Sequence, residues 1–196
     1  EGVHFPEKEL PGFIAKKLLR VNLSDLAAMG AIPRAYLLVL ALPRKVDDAW
    51  LEAFSAGLKE DQEAFGVTVI GGDMVATHGP LTLSLTLLGE TGEKGIMTRS
   101  GAQAGDVVFV SGTIGDAALG LRVLGGEFAG LDKEAADFLI ARYQLPEPRL
   151  ELGRRLTGLA SAGMDISDGL AADLGHICEA SNLGGRIDVS QVPLSP

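Results

Sequence analysis

The sequence predicts an α+β protein of two domains, and three observations carry the prediction. Helical and strand-like periodicities alternate along the chain instead of segregating into one class. Leu81, Leu83, Leu85 and Leu87 alternate with Thr82, Ser84 and Thr86, the pattern of a strand with one apolar and one polar face. The segment GETGEKGIMTRSGAQAG, rich in Gly and polar residues, interrupts the chain near residue 92 and predicts domains over 1–92 and 93–196.

In order along the chain, a short strand is expected at GVHF. After the loop from Pro6 to Pro11, apolar spacing predicts a helix from about Phe13 to Met29. The run AYLLVLAL at 35–42 reads as a strand ended by Pro43, which has no N–H to give a ladder. A second helix is expected from about Asp47 to Phe65, its acidic first turn suiting the helix dipole, followed by the strands VTVIGG and LTLSLTLLG. Beyond the boundary, DVVFVSG reads as a strand, then come a glycine turn and helices at about Asp116–Leu124, near 132–143 and near 148–158. The chain then reaches MDISDGL, read as a strand-to-helix turn, and a helix in which Leu170, Leu174 and Ile177 share one face. No internal repeat is visible.

Composition sets the limits. The 196 residues are 46% hydrophobic and 22% charged, which suits a soluble globular protein with a real core. A net charge of −9 argues against a general nucleic-acid or anionic-membrane surface, since such partners need clustered Lys and Arg. Cys178 is the only cysteine, so an internal disulfide is excluded, a reducing compartment is the simpler expectation, and the thiol is expected to be buried and free. AYLLVLAL is too short to span a bilayer as a helix and the first residues resemble no signal peptide, so a cytoplasmic protein is expected.

Scattered aspartates are the candidate chemistry. In MDISDGL, one reading makes Asp168 or Ser167 an N-cap for the following helix. The other has Asp165 and Ser167 on the same side of a short strand, with Asp168 turning back toward them, an oxygen cluster suited to Mg2+. In the first helix Lys16, Lys17, Arg20 and Ser24 mark the wet face, and at about 100° per residue Asp25 falls opposite, in line with Ile14, Leu18 and Val21. A buried carboxylate there needs a cation, several donors or a proton; the plainer alternative is a structural Asp bonded to Asn22. Asp73 is expected to end its strand, with Gly71 and Gly72 either letting backbone approach a ligand or making an ordinary turn. Neither a Walker-type loop nor a kinase glycine loop is present, and Gly112, Gly115 and Gly120 have the wrong spacing for a dinucleotide turn.

The stretches EGVHF, VNLSDLAAMGAIPRA, GGD, TRSGAQAGD, VSGTIGDAALGL, PEPR and DISDGLAADL, in this order, resemble the thiamine-monophosphate kinase family. That family lies within the superfamily that includes aminoimidazole ribonucleotide synthetase and selenophosphate synthetase. The resemblance implies two α+β domains of mixed or antiparallel sheet with helices packed on one face. It also implies transfer of a phosphoryl group from ATP to thiamine monophosphate, several Mg2+ ions, and a homodimer formed through the N-terminal domains. By the same resemblance, Asp25, Asp73, Asp165 and Asp168 are the metal ligands, Gly72 and Asp73 lie at the nucleotide, Arg99 faces its phosphates, Ser167 helps hold ATP, and His4 contacts the substrate. Read from the residues alone, His4 is equally a strand-edge histidine.

Members of the family commonly carry acidic residues just before EGVHF and a later segment that contacts the thiamine moiety, and often have Thr where Met74 stands. The resemblance therefore implies a piece of a longer protein, with a C-terminal domain incomplete at its end. A sibling ATP-dependent enzyme with another acceptor, and a non-catalytic truncated module, are the competing expectations.

Overall fold

Helix α1 (Pro11–Met29) opens on a proline, which suits a first helical position because its missing N–H has no partner there anyway. It closes on Gly30, whose φ of 72° lets the chain turn back. Gly30 N–H then bonds Ala27 O at 3.0 Å and Ala31 N–H bonds Leu26 O at 2.9 Å, a Schellman ending. Its buried stripe is Ile14, Ala15, Leu19, Leu23 and Ala27. The phase expected from sequence was wrong: Val21 and Asp25 are both exposed. The cause lies in Arg20, which is not a wet-face residue.

The computed structural model describes residues 1–196, which form two units. The first comprises Glu1–Leu23 and Pro33–Glu90, the second Ser24–Ile32 and Thr91–Pro196.

In the first unit, strands β1 (Ile32–Pro43), β2 (Thr68–Thr77) and β3 (Thr82–Glu90) form a mixed sheet in the order β2-β1-β3. Helix α2 (Asp48–Phe65) joins β1 to β2, which pair in parallel and so need such a crossover. The register runs Tyr36↔Val69 and then Leu37↔Gly71, so Ile70 is an extra residue, a β-bulge. Tyr36, Leu40, Phe54, Leu58, Val67 and Leu81 are buried. Asp61, only 2% exposed, sits among the buried groups of this unit because Arg20 forks onto it, Nε at 2.6 Å and Nη2 at 2.9 Å. The same guanidinium lies over the Phe65 ring at 5.4 Å.

The N-cap of α2 is Asp47, whose Oδ1 accepts the Trp50 N–H at 2.8 Å. Asp47→Ala is expected to cost about 1 kcal/mol of stability, read from urea unfolding. GVHF forms no strand. Gly2, at φ 78°, donates to Phe5 O at 2.9 Å, so these residues close a turn that offers no ladder.

The second unit contains helices α3 (Asp116–Leu124), α4 (Lys133–Gln144), α5 (Leu150–Leu156) and α6 (Leu170–Ala180). Helices α3 and α4 pack backbone against backbone: a Cβ on Gly120 would stand 2.0 Å from Leu139 O. DVVFVSG is not a strand, and Val107 and Phe109 are 72% and 88% exposed. Its alternation is real, but a strand also requires a hydrogen-bonding neighbour, and no segment of this chain supplies one. Cys178 is free yet only half-buried, a correction to its expected burial. No helix is long and apolar enough to cross a membrane.

Candidate functional site

Residues 164–169 form no strand, and Gly169 enters α6 at φ 128°, ψ 152°, a backbone conformation open to glycine. The helix has no side-chain N-cap, so the expectation that Asp168 or Ser167 caps it is overturned. The acid that serves this turn is one the sequence did not single out. Asp173, in the first turn of α6 and 3% exposed, reaches back so that its Oδ2 accepts the N–H groups of Ser167 at 2.9 Å, Asp168 at 3.1 Å and Gly169 at 3.1 Å.

With those amides turned onto Asp173, the Ser167 and Asp168 side chains are exposed. Ser167 Oγ donates to Asp165 Oδ2 at 3.3 Å, so these two side chains meet. Oxygens of Asp168 and Asp173 and a ring nitrogen of His176 lie within 4.8 Å of one another. Asp173 is also the buried residue of α6, whereas Leu170, Leu174 and Ile177 are only half-buried, so the apolar face expected for this helix is not its buried one.

Three separate stretches bring Asp25, Arg99 and Asp165 together. Met97 N–H bonds Met29 O at 3.0 Å, and Gly163 N–H bonds Thr98 O at 3.0 Å. The segment bearing Arg99 is thereby tied on one side to the end of α1 and on the other to the run leading into Asp165. Ser181, at the end of α6, adds a third fastening: its Oγ accepts the Gly101 and Ala102 N–H groups at 3.3 and 3.2 Å and donates to Arg99 O at 3.3 Å. Helix α5 meets α1 at Gly153, where a Cβ would stand 1.8 Å from Ala27 O, so only glycine permits that approach.

Asp25 is exposed, not buried as its expected helical phase required. Asn22 is not its partner either, since Asn22 Nδ2 donates to Leu18 O at 2.8 Å. Partial desolvation nevertheless pushes the Asp25 carboxyl above its ordinary value, the negative charge of Asp165 pushes the same way, and Arg99 opposes both. Two carboxylates that repel each other beside an arginine, with a third on the adjacent turn, are an all-oxygen donor set suited to a hard divalent cation such as Mg2+.

A pH dependence follows from that raised value. The folded state favours protonated Asp25, so the group's contribution is fully present below the ordinary carboxylate range and is lost as pH rises through the raised folded value. Asp25→Asn should therefore raise the ligand-free melting temperature slightly at neutral pH and leave it unchanged in acid. The gain is small because the site is solvent-screened. Melting curves at both pH values, without metal, check this; an equal effect in acid would mean that charge is not the cause.

His4, Gly72 and Asp73 belong to the first unit, and Asp25, Arg99, Asp165, Ser167 and Asp168 to the second. His4 is exposed in the N-terminal turn. Asp73 does not end its strand: β2 continues to Thr77, the Asp73 carboxylate is exposed, and its Oδ1 accepts the Met74 N–H at 2.8 Å. Gly72, at φ 152°, pairs with Leu38, and a Cβ there would lie 1.8 Å from Leu38 O. The close approach that requires glycine at this position is thus to the neighbouring strand, and the chain makes no turn there.

Asp173 left one sequence signal: an acid in the first turn of a helix whose N-cap position, Gly169, has no side chain to cap with.

Comparison with known proteins adds to this geometry. Two family models match in succession, AIR synthase related protein, N-terminal domain, over residues 1–91 and AIR synthase related protein, C-terminal domain, over residues 103–195. The chain is 46% identical over 194 residues to the thiamine-monophosphate kinase of Escherichia coli K12, covering 99% of this chain and 59% of the relative. Among solved structures, the thiamine-monophosphate kinase of Stenotrophomonas maltophilia K279a superposes with a TM-score of 0.89 at 42% identity, covering 100% of this chain and 62% of that one. AaThiL complexed with AMPPCP and TMP superposes with a TM-score of 0.86 at 36% identity, covering 93% of this chain and 58% of that one. The chain thus spans less than two thirds of the length of these relatives.

Proposed function

The chain belongs to the AIR synthase related family, and from that premise we propose that it works in an ATP- and Mg2+-dependent thiamine-monophosphate kinase. The observation that carries the reading is the grouping of Asp25, Asp165 and Arg99 beside the loop that presents Ser167 and Asp168. The relative solved with AMPPCP and TMP supports an ATP-like donor and a phosphorylated acceptor.

In this reading Asp25, Asp165 and Asp168 would hold Mg2+ through their oxygens in the second unit, and Asp73 is assigned as a metal ligand in the first. When bound, the cations neutralise the phosphate charge that would otherwise keep two anions apart. Arg99 faces the nucleotide phosphates and offsets charge as it spreads over the transferring group. The Ser167 hydroxyl and the backbone at Gly72 help hold ATP, and His4 contacts the acceptor. The bond from the γ-phosphorus to ADP breaks as a bond to a phosphate oxygen of thiamine monophosphate forms in line, giving thiamine diphosphate without a covalent enzyme intermediate.

We assign the first unit to nucleotide, metal and dimer contacts. Strand β2 supports a homodimer, since Val69, Ile70, Met74 and Val75 lie on both of its faces and are all exposed. Sedimentation at micromolar concentration tests that assignment, and a monomer would sink it. A lone cysteine and the phosphorylated substrates fit the cytoplasm. ADP release measured with and without thiamine monophosphate, across a Mg2+ titration, tests the activity. Release that ignores the acceptor would point to a sibling enzyme of the family, and no release in the full-length protein would refute the reading.

A further inference from the structure

The backbone from Ser167 to Gly169 owes its shape to a single atom. Three consecutive N–H groups converge on Asp173 Oδ2 at 2.9, 3.1 and 3.1 Å, from a side chain 3% exposed. Consecutive amides seldom aim at one point. An extended segment sends successive N–H groups to opposite sides, and a regular helix sends them along its axis. A buried carboxylate needs donors of this kind, and charge-assisted bonds to N–H groups are roughly twice as strong as neutral ones. The loop and the acid therefore hold each other, and the acid comes from the rigid first turn of α6, whose own Asp173 N–H bonds Gly169 O at 2.9 Å.

We propose that Asp173 is a positioning residue for the metal–phosphate site: it pins the turn inward so that Asp165, Ser167 and Asp168 display their oxygens outward, while its own Oδ2 is occupied by backbone. The inference rests on the phosphotransferase reading of the loop. It goes beyond that reading in assigning the geometry of the outer ligands to a residue that does not itself touch the nucleotide. Asp168, Asp173 and His176 also lie close enough to share a cation. Direct ligation by Asp173 is accordingly the rival outcome.

Two variants and two measurements on the full-length protein separate these roles. Asp173→Ala removes the acceptor; Asp173→Asn keeps an acceptor oxygen of nearly the same shape and loses the charge. Amide hydrogen exchange of Ser167, Asp168 and Gly169, without ligand, should accelerate strongly in Asp173→Ala and less in Asp173→Asn, with α1 and α4 unchanged. Mg2+-dependent binding of a non-hydrolysable ATP analogue, measured by calorimetry, should weaken in the same order, by about 10- to 100-fold for Ala, as for other groups that orient metal ligands. Faster exchange with unchanged affinity would reduce Asp173 to a structural anchor and overturn the proposal. Lost affinity with unchanged exchange would make it a ligand and also overturn it, as would global unfolding of both variants. If the parent protein itself fails to bind the Mg2+–analogue pair, the phosphotransferase reading falls while the exchange result on the loop still stands.

Discussion

Asp168→Ser leaves the ligand-free melting temperature where it was and lowers turnover by about 100-fold or more. The first half follows from the structure of the turn. The Asp168 carboxylate caps nothing, it is exposed, and its backbone N–H is held by Asp173 whatever side chain it carries. Exposed substitutions away from such features usually fall within about 0.5 kcal/mol. The second half follows from charge. Serine keeps an oxygen but cannot replace a carboxylate as a Mg2+ ligand, and removing charge stabilisation at a transferring phosphoryl group typically costs a few kcal/mol of barrier. The gain in melting temperature on adding Mg2+ and ATP, which tracks occupancy of the folded state, should largely disappear. Thermal shift and ADP release on one preparation of the full-length protein check both halves. A variant that responds to Mg2+ and ATP as the parent does, and turns over within about threefold of it, would remove Asp168 from the site.

Asp61→Ala destabilises the first unit by about 3–5 kcal/mol, because it strands the Arg20 guanidinium beside a buried, emptied position. Replacing both partners together with apolar residues of matching volume should recover most of that loss, since the penalty lies in an unpaired buried charge and not in the absence of the pair. Urea unfolding followed by circular dichroism measures each. If Asp61→Ala costs under about 1 kcal/mol, the pair behaves as a surface ion pair and Arg20 swings out to water.

Most helices and the first-unit sheet were legible because their signals are local. The helix at Asp116–Leu124, the strand ending at Pro43 and the alternation at 81–87 were each visible within about ten residues, and the structure places elements there. Local pattern failed where an element needs a distant neighbour. GVHF and DVVFVSG have strand-like composition and no partner to bond. The Gly-Gly-Asp of β2 looked like a strand end because glycine usually marks a turn, whereas here Gly72 answers the approach of Leu38 from another strand.

By itself the amino-acid sequence determined the α+β class, the order of most elements, and which acids, glycines and arginine were worth watching, because these depend on periodicity and residue type. Only the tertiary structure decided which charges are buried and what they hold. Arg20 read as a solvent-facing residue until Asp61 met it from a helix some 41 positions away. Asp25 read as buried until α1 rotated its other face inward, and Asp173 read as an ordinary helix residue until three amides closed on it. Burying a charge costs several kcal/mol unless donors surround it. For Asp61 the donor comes from a separate helix that meets it only on folding, and for Asp173 the donors come from the adjoining loop, whose shape no periodicity announces.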